Sequence, residues 1–227
     1  MFVGHYGPSF AGKVLRQSVP LWALFLAVQL LDVFWSIFVL LGIEKVRVVP
    51  GFMAASPLDL YYMPYTHSLE GAIFWAVAGG IAYWLIRRAD GWGGAGLVSV
   101  AVFSHWILDF IVHGPDLPLW GSSLKVGLGL WNYPITSFVL EISLLFGGMY
   151  LYLKRTEPLT GTGRYGMLVF GGVMAAVQAV AYFGPPPPSG RAAAIAALTS
   201  YIVFASTAYW LERKRVPRGI AQAVGGS

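Results

Sequence analysis

Six apolar segments, each about 20 residues long, run through this sequence and constrain its fold more than any other feature. A helix that crosses the hydrocarbon core of a bilayer needs about 20 predominantly apolar residues. The six segments are residues 20–41, 65–86, 92–113, 133–153, 165–183 and 192–211. Charged residues make up only 11% of the chain, whereas a soluble domain has about 25%. The sequence therefore predicts an all-α, polytopic membrane helix bundle of about six spans.

The order of these segments predicts a single transmembrane domain over residues 1–227. Residues 1–19 are expected to form a short N-terminal helix, 20–153 the helices that build a site, 165–211 scaffold helices and 212–227 a cytoplasmic tail. The chain contains no cysteine. Disulfides, thiolate metal ligands and cysteine nucleophiles are therefore excluded.

Basic residues are distributed unequally between the two ends of the predicted spans. Short cytoplasmic loops of membrane proteins carry the excess of Lys and Arg. Eleven of the fifteen Lys and Arg residues fall on the side that holds both termini: Lys13, Arg16, Arg87, Arg88, Lys154, Arg155, Arg164, Arg213, Lys214, Arg215 and Arg218. We therefore expect a multi-pass membrane protein with both termini in the cytoplasm. These loops account for the net charge of +5, and no nucleic-acid partner is expected.

Residues 2–17 are too short and too polar to cross a membrane. They could lie on the membrane surface as an interfacial helix, or they could enter the bundle as a re-entrant half-helix. In the second arrangement His5 and Asp32 each lie twelve residues from the cytoplasmic turn, which is roughly 18 Å along a helix. A re-entrant segment would therefore bring His5 to the depth of Asp32.

Ionisable residues in the spans are concentrated in the first four. Each costs about 2.5–3.5 kcal/mol at the centre of a span on insertion scales, so such residues generally have a function. The polar residues that we single out in these spans are Gln29, Asp32, Ser36, Thr66, His67, Ser68, Glu70, Ser104, His105, Asp109, His113 and Glu141. The fifth and sixth spans carry no charged residue, and we interpret them as scaffold.

The third span contains the most informative spacing. His105, Asp109 and His113 are four residues apart and therefore lie on one helix face. Two imidazoles and a carboxylate on a single face are half of a metal site. The other polar residues of the first four spans can reach the same, outer half of the bilayer. A divalent cation there would offset the cost of burying several carboxylates.

Each of these residues also has a simpler structural interpretation. His105 and Asp109 could form an ion pair within one helix. His67 could cap its helix, His5 could be an exposed terminal residue, and Glu141 could be a structural hydrogen-bond partner. Several buried charges in one layer do not stabilise a bundle by themselves, so the metal interpretation explains more of the pattern.

The motifs in their order along the chain resemble a known family. His5, Asp32, Thr66-His67-Ser68-Leu69 and His105-Trp106-Ile107-Leu108-Asp109 resemble the pattern of the bacterial inner-membrane metal-dependent hydrolases, a multi-pass family also described as LexA-binding. The resemblance covers roughly residues 4–115. The order of ligands is also similar to that of the soluble zinc-dependent phospholipases C and the fungal single-strand nucleases.

This resemblance implies a set of metal ligands. One ion would be held by four residues, namely Asp32, His67, His105 and Asp109. Asp109 would bridge to a second ion that it shares with His5, and His113 is a further candidate ligand. The expected cofactor is one or two divalent metal ions, with zinc as the expected element.

The predicted catalytic residues are Ser68, Ser104 and Glu141. Both serines adjoin a ligand histidine in the sequence, where they could hydrogen-bond a ligand or water. Zinc with two imidazole and two carboxylate ligands leaves room for a water molecule whose pKa falls toward 7. We therefore expect hydrolysis of an amphiphilic phosphoester, such as a phospholipid at the outer face, with membrane lipid as the other partner.

Two other functions are compatible with the sequence. An ion- or proton-coupled transporter is the main alternative, because buried His, Asp and Glu side chains also form ion pathways. The lack of a visible inverted repeat and the placement of the polar residues in one half of the bilayer count against it. A scaffold whose polar cluster only fixes helix packing would not need four histidines at one level.

Overall fold

The computed structural model describes residues 1–218 and confirms an all-α membrane helix bundle. Residues 219–227, which belong to the predicted tail 212–227, lie outside the described part. Short 3-10 turns cover Val3–His5, Arg88–Asp90 and Leu130–Asn132. Within residues 1–218 the α-helices are α1 (Tyr6–Leu15), α2 (Leu21–Val28), α3 (Leu30–Leu40), α4 (Leu69–Ile86), α5 (Gly91–Val112), α6 (Pro134–Arg155), α7 (Gly161–Phe183) and α8 (Gly190–Glu212).

Helices α4 to α8 are each long and apolar enough to cross a membrane, and α2 together with α3 forms a sixth, bent candidate span. Large apolar side chains on the outward faces are half or more exposed, among them Phe74, Leu85, Val100, Ile135 and Val169. A water-soluble protein rarely exposes apolar faces of this extent. The predicted spans are therefore confirmed, and their outward faces are suited to lipid.

The first predicted span, residues 20–41, is broken rather than continuous. It divides at Gln29 into α2 and α3, whose axes differ by 55°. Gln29 leaves the helical conformation, with φ −107° and ψ 8°, and its Nε2 donates to the carbonyl oxygen of Phe2 at 3.1 Å. Residues 21–41 contain neither the Pro nor the Gly that usually marks a kink. Instead, a contact with the N-terminal segment accompanies the break.

The N-terminal segment enters the bundle and does not lie on its surface. Helix α1 packs against α2 and α6, and Tyr6 and Phe10 are fully buried. Gly7 meets α6 at very close range, since a Cβ atom on Gly148 would lie 2.8 Å from Gly7 Cα. Small residues of this kind let helices in membranes approach backbone to backbone. Of the two arrangements considered for residues 2–17, the structure has the re-entrant one.

We expect Gly148→Ala to weaken the packing of α1 against α6, because the new methyl group would overlap the backbone of Gly7. Overpacking of this kind typically costs about 1–3 kcal/mol. Gly147→Ala is the matched control, since a Cβ there meets nothing within 4 Å. Thermal unfolding in detergent should show a lower midpoint for Gly148→Ala alone. Equal midpoints for the two variants would contradict this packing.

Antiparallel strand pairs that the sequence did not indicate lie at the two ends of the bundle, and the first two of them are hairpins in the loops between spans. Within residues 1–218 the antiparallel strand pairs are β1 (Lys45–Val48) with β2 (Leu58–Tyr62), β3 (Leu117–Trp120) with β4 (Ser123–Val126), and β5 (Thr156–Pro158) with β6 (Arg215–Pro217). The first two pairs lie at the end of the bundle where α4 begins and α5 ends. The third joins α6 and α8 at the opposite end, which we call the basic end because most Lys and Arg residues lie there.

Candidate metal centre

Five side chains from four separate parts of the chain meet inside the bundle. His5 ends the first 3-10 turn, Asp32 lies on α3, and His67 lies just before α4. His105 and Asp109 are one turn apart on α5. Their possible ligand atoms form two groups, each with all atoms within 4.8 Å of one another: His5, His105 and Asp109, and Asp32, His67 and His105. The cluster could therefore hold a metal ion, and all of its members except Asp32 are buried.

His105 is oriented by the break between α2 and α3. Its Nδ1 lies 2.6 Å from the carbonyl oxygen of Val28, the last residue of α2. A carbonyl at the end of a helix lacks an intrahelical donor. Because a carbonyl oxygen can only accept a hydrogen bond, Nδ1 of His105 must be the nitrogen that carries the proton. Nε2 then faces Asp109 Oδ2 at 3.1 Å. The broken span thus determines which nitrogen of His105 is available to a metal.

His67 is oriented by a chain of two hydrogen bonds. Its Nδ1 lies 2.7 Å from Thr66 Oγ1, and this hydroxyl donates to Glu44 Oε2 at 2.7 Å. Because the hydroxyl proton points toward Glu44, Oγ1 accepts from the Nδ1–H group of His67. The Nε2 atom is left facing Asp32 Oδ1 at 3.2 Å.

His5 and His113 approach the carboxylate of Asp109 from two sides. His5 stacks on the ring of His105 with 3.8 Å between centroids, and its Nε2 lies 3.2 Å from Asp109 Oδ1. His113 directs Nδ1 to Asp116 Oδ1 at 3.0 Å and Nε2 toward Asp109 Oδ2 at 3.7 Å. His113 belongs to neither group of mutually close ligand atoms. It therefore borders the centre without joining it.

The separations between these atoms fit ligands of a common ion better than direct hydrogen bonds. The buried Nε2 atoms of His5 and His105 have no aligned hydrogen-bond partner among residues 1–218, although Asp109 oxygens lie 3.2 Å and 3.1 Å away, respectively. Two ligands of a tetrahedral zinc, each about 2.0–2.1 Å from the ion, are roughly 3.3 Å apart. Imidazole nitrogen and carboxylate oxygen are also donors that zinc accepts. The residues present therefore fit a divalent cation.

The amino group of Met1 also contacts this cluster, with its nitrogen 2.5 Å from Asp109 Oδ1. The contact is with the same carboxylate oxygen that faces His5 Nε2. Asp32 and Asp109 together place two carboxylates in a region where an unpaired charge is costly. A bound cation would offset their charge.

Comparison with known proteins identifies no relative. No family model, no curated protein and no solved structure matches this chain.

Two of the predicted catalytic residues, the serines, make their hydrogen bonds outside the cluster. Ser68 caps α4, since its Oγ accepts from the N–H of Gly71 at 3.0 Å and donates to the carbonyl of Pro64 at 2.6 Å. Ser104 Oγ donates to the carbonyl of Ala101 on its own helix at 2.7 Å. Among the described residues, neither serine bonds a member of the cluster. A catalytic role for them stays a prediction.

Glu141, the third predicted catalytic residue, lies outside both ligand groups and holds the N-terminal segment. It accepts from the backbone N–H groups of Phe2 at 2.7 Å and Gly4 at 3.1 Å. Its other oxygen accepts from Gln178 at 3.2 Å and Tyr182 at 2.6 Å, both on α7. These four donors stabilise a carboxylate that is fully buried. Glu141 thus positions the turn that carries the first histidine of the cluster.

Sequence reasoning missed two residues that support the cluster. Glu44 accepts from the N–H groups of Tyr65 and Thr66 and from the Thr66 hydroxyl. Burial raises the pKa of Glu44, and Thr66 and the adjacent His67 oppose part of that increase. Tyr201 on α8 donates to Asp32 Oδ2 at 2.7 Å. A helix that we predicted to be scaffold therefore contributes a polar contact to the site.

We expect Thr66→Val to weaken metal binding about 10–100-fold, the range typical when a hydrogen-bond partner of a ligand histidine is removed. Valine has the shape of threonine but cannot accept from His67 Nδ1. Competition with a chelator of known affinity would measure the change. Thr207→Val near the basic end of α8 is the matched control, and an equal effect of both variants would contradict the role of Thr66.

Proposed function

We propose that this chain is a membrane-embedded, metal-dependent hydrolase that cleaves a phosphoester, such as a phospholipid, at the outer face of a bacterial inner membrane. One observation carries the proposal: Nε2 atoms of His5, His67 and His105 converge on two carboxylates inside an apolar bundle. Such a cluster is expensive in hydrocarbon and is therefore expected to have a function. The order of these ligands along the chain, which resembles that of the zinc-dependent phospholipases C, supports the reaction class.

The chain's own residues would prepare this site for a cation and a substrate. The bonds at Nδ1 hold the rings of His67 and His105 so that each keeps Nε2 directed inward. Asp32 is the one member of the cluster that is partly exposed, so substrate and water would enter from its side. A divalent cation held there would supply polarisation of a phosphoryl oxygen and activation of water.

An open groove near the site suits the tail of an amphiphilic substrate. Its volume is about 510 Å³, within the range of about 300–1,000 Å³ that is common for ligand sites. The lining residues lie at or near the ends of α3 and α4 that face the first hairpin: Phe38, Ile43, Pro64, Tyr65, Glu70, Gly71, Phe74 and Trp75. Four of them flank His67 in the sequence. The excess of Lys and Arg favours the basic end as the cytoplasmic one. The groove lies at the other end, which would be the outer face.

Metal analysis of the full chain tests the proposed function. The protein is purified in mild detergent, freed of unbound metal by gel filtration and analysed by plasma mass spectrometry. We expect one or two divalent ions per chain, since the ligand atoms form two groups. We also expect hydrolysis of a phospholipid with a chromogenic headgroup, which a chelator abolishes and added zinc restores.

Two results would count against this function in different ways. Protein that contains no metal and whose thermal unfolding a chelator leaves unchanged would contradict the metal centre and the enzyme together. Bound metal without hydrolysis of phospholipids or simpler phosphodiesters would contradict the hydrolase and leave the metal centre standing.

The broken span favours a second candidate, an ion- or proton-coupled transporter. Discontinuous helices near the bilayer midplane form the binding sites of many transporters. The 55° break between α2 and α3 lies next to Asp32 in the sequence. In reconstituted vesicles a transporter would produce proton or divalent-ion flux that Asp32→Asn abolishes, whereas hydrolysis without flux would favour the enzyme.

A further inference from the structure

A second polar site lies at the basic end of the bundle, remote from the metal centre. A cavity of about 100 Å³ lies between the end of α1, the ends of α6 and α8, and the β5–β6 pair. Its charged lining residues are Lys13, Arg155, Arg215 and Glu212. With three cations and one carboxylate, the lining has a net charge of two positive.

The single carboxylate of this cavity is already engaged. Glu212 Oε1 pairs with Lys13 Nζ at 2.5 Å, and Oε2 accepts from the N–H of Leu21 at 2.9 Å. Lys13 and Glu212 therefore neutralise each other. The excess positive charge belongs to the two arginines.

Arg215 is a buried guanidinium whose hydrogen bonds all go to neutral acceptors. It is only 9% exposed. It donates to Thr156 Oγ1 at 2.8 Å, to the Thr156 carbonyl at 2.9 Å and to the Gly163 carbonyl. Two of its five N–H groups are left over, and within residues 1–218 no carboxylate pairs with it. Burial lowers the pKa of this guanidinium, as expected for a charge without a counter-ion.

Arg155 adds a second, more accessible guanidinium to the same cavity. Its side chain is exposed, and it forms no ion pair or hydrogen bond with another side chain in the described part of the chain. It lines the cavity together with Arg215. Arg155 can thus bind a ligand without breaking an ion pair or a side-chain hydrogen bond among residues 1–218.

We propose that this cavity binds a phosphate group, either as free phosphate or as the headgroup of an anionic phospholipid. Its volume is below the range of about 300–1,000 Å³ typical for drug-sized ligands, which suits a small oxyanion. The planar fork of a guanidinium matches the spacing of phosphate oxygens. A phosphate held here would join Arg155 at the end of α6 to Arg215 on β6, beside the Lys13–Glu212 pair. It would thereby stabilise the contact between α6 and the β5–β6 pair.

The test uses the full chain in phosphatidylcholine nanodiscs, in chloride buffer at constant ionic strength. Inorganic phosphate is titrated in one arm, and phosphatidylglycerol replaces part of the phosphatidylcholine in the other. A ligand that binds the folded state raises the midpoint of thermal unfolding. We expect an increase in at least one arm. An increase with inorganic phosphate identifies the free anion as a ligand, and an increase with phosphatidylglycerol alone identifies the lipid headgroup.

Two neighbouring variants separate this site from a general effect of charge. Arg155→Gln should weaken binding about tenfold, as expected for loss of one hydrogen bond to a charged group, and should leave the ligand-free midpoint unchanged. Lys154→Gln removes the same charge outside the cavity and should change the affinity by less than about twofold. No increase in either arm, or an equal loss of affinity in both variants, would overturn the proposal.

Discussion

His105→Ala is expected to remove all bound metal from the protein, because within the described residues His105 alone belongs to both ligand groups. The affinity for the metal should fall by more than about 100-fold. That factor is the upper end of the range seen when a residue that only orients a metal ligand is removed. The physical reason is the loss of a buried Nε2 atom that faces both Asp32 and Asp109, from the histidine that the two groups share. Metal per chain in the purified variant, measured by plasma mass spectrometry, checks this result.

The histidine next along the same helix face provides a matched control. His113 is as buried as His105 and also lies four residues from Asp109, yet it is in neither ligand group. His113→Ala should therefore retain most of the metal. His5→Ala and His67→Ala should each lose the ion of one group. Equal losses in His105→Ala and His113→Ala would contradict the assignment of ligands.

Glu141→Ala is expected to release the N-terminal segment from the bundle. The change leaves four donors, two of them in fully buried and two in partly buried hydrogen bonds, without their acceptor. A loss of about 3–5 kcal/mol in the free energy of unfolding is expected, as when one partner of a buried charged network is removed. Thermal unfolding would measure the loss, and hydrogen exchange of residues 1–15 would locate it.

A glutamate on β5, just beyond the end of α6, controls for the loss of charge. Glu157 is partly exposed and pairs with Arg218 at 3.4 Å, so Glu157→Ala should change the stability by no more than about 0.5 kcal/mol. Glu141→Gln keeps one carbonyl acceptor, so its loss of stability should lie between the losses of Glu141→Ala and Glu157→Ala. Slow exchange in residues 1–15 of Glu141→Ala would show that other contacts hold the segment.

The five residues of the cluster were predictable because their signals are local. His105 and Asp109 lie on one helix face by their spacing alone. His67 and Asp32 stand out as ionisable residues in apolar segments, and helix length places His5 at the depth of Asp32 if the N-terminal segment is re-entrant. The structure brings all five residues together.

The groups that orient these ligands were not predictable for equally physical reasons. The carbonyl of Val28 contacts His105 through the backbone, which leaves no side-chain signal in a sequence. The contact of Glu44 with Thr66 spans 22 residues and depends on how the first hairpin returns the chain. The break at Gln29 coincides with a long-range bond to Phe2, and such tertiary contacts override local helix preference.

The bonds from Phe2 and Gly4 to Glu141 join parts of the chain that are 139 and 137 residues apart. During synthesis the first histidine leaves the ribosome long before its anchor does. It cannot be fixed beside α5 until α6 has entered the membrane, because contacts of such long range form late. Metal occupancy should therefore report completed assembly, and chains arrested before residue 141 should carry helices but no finished centre.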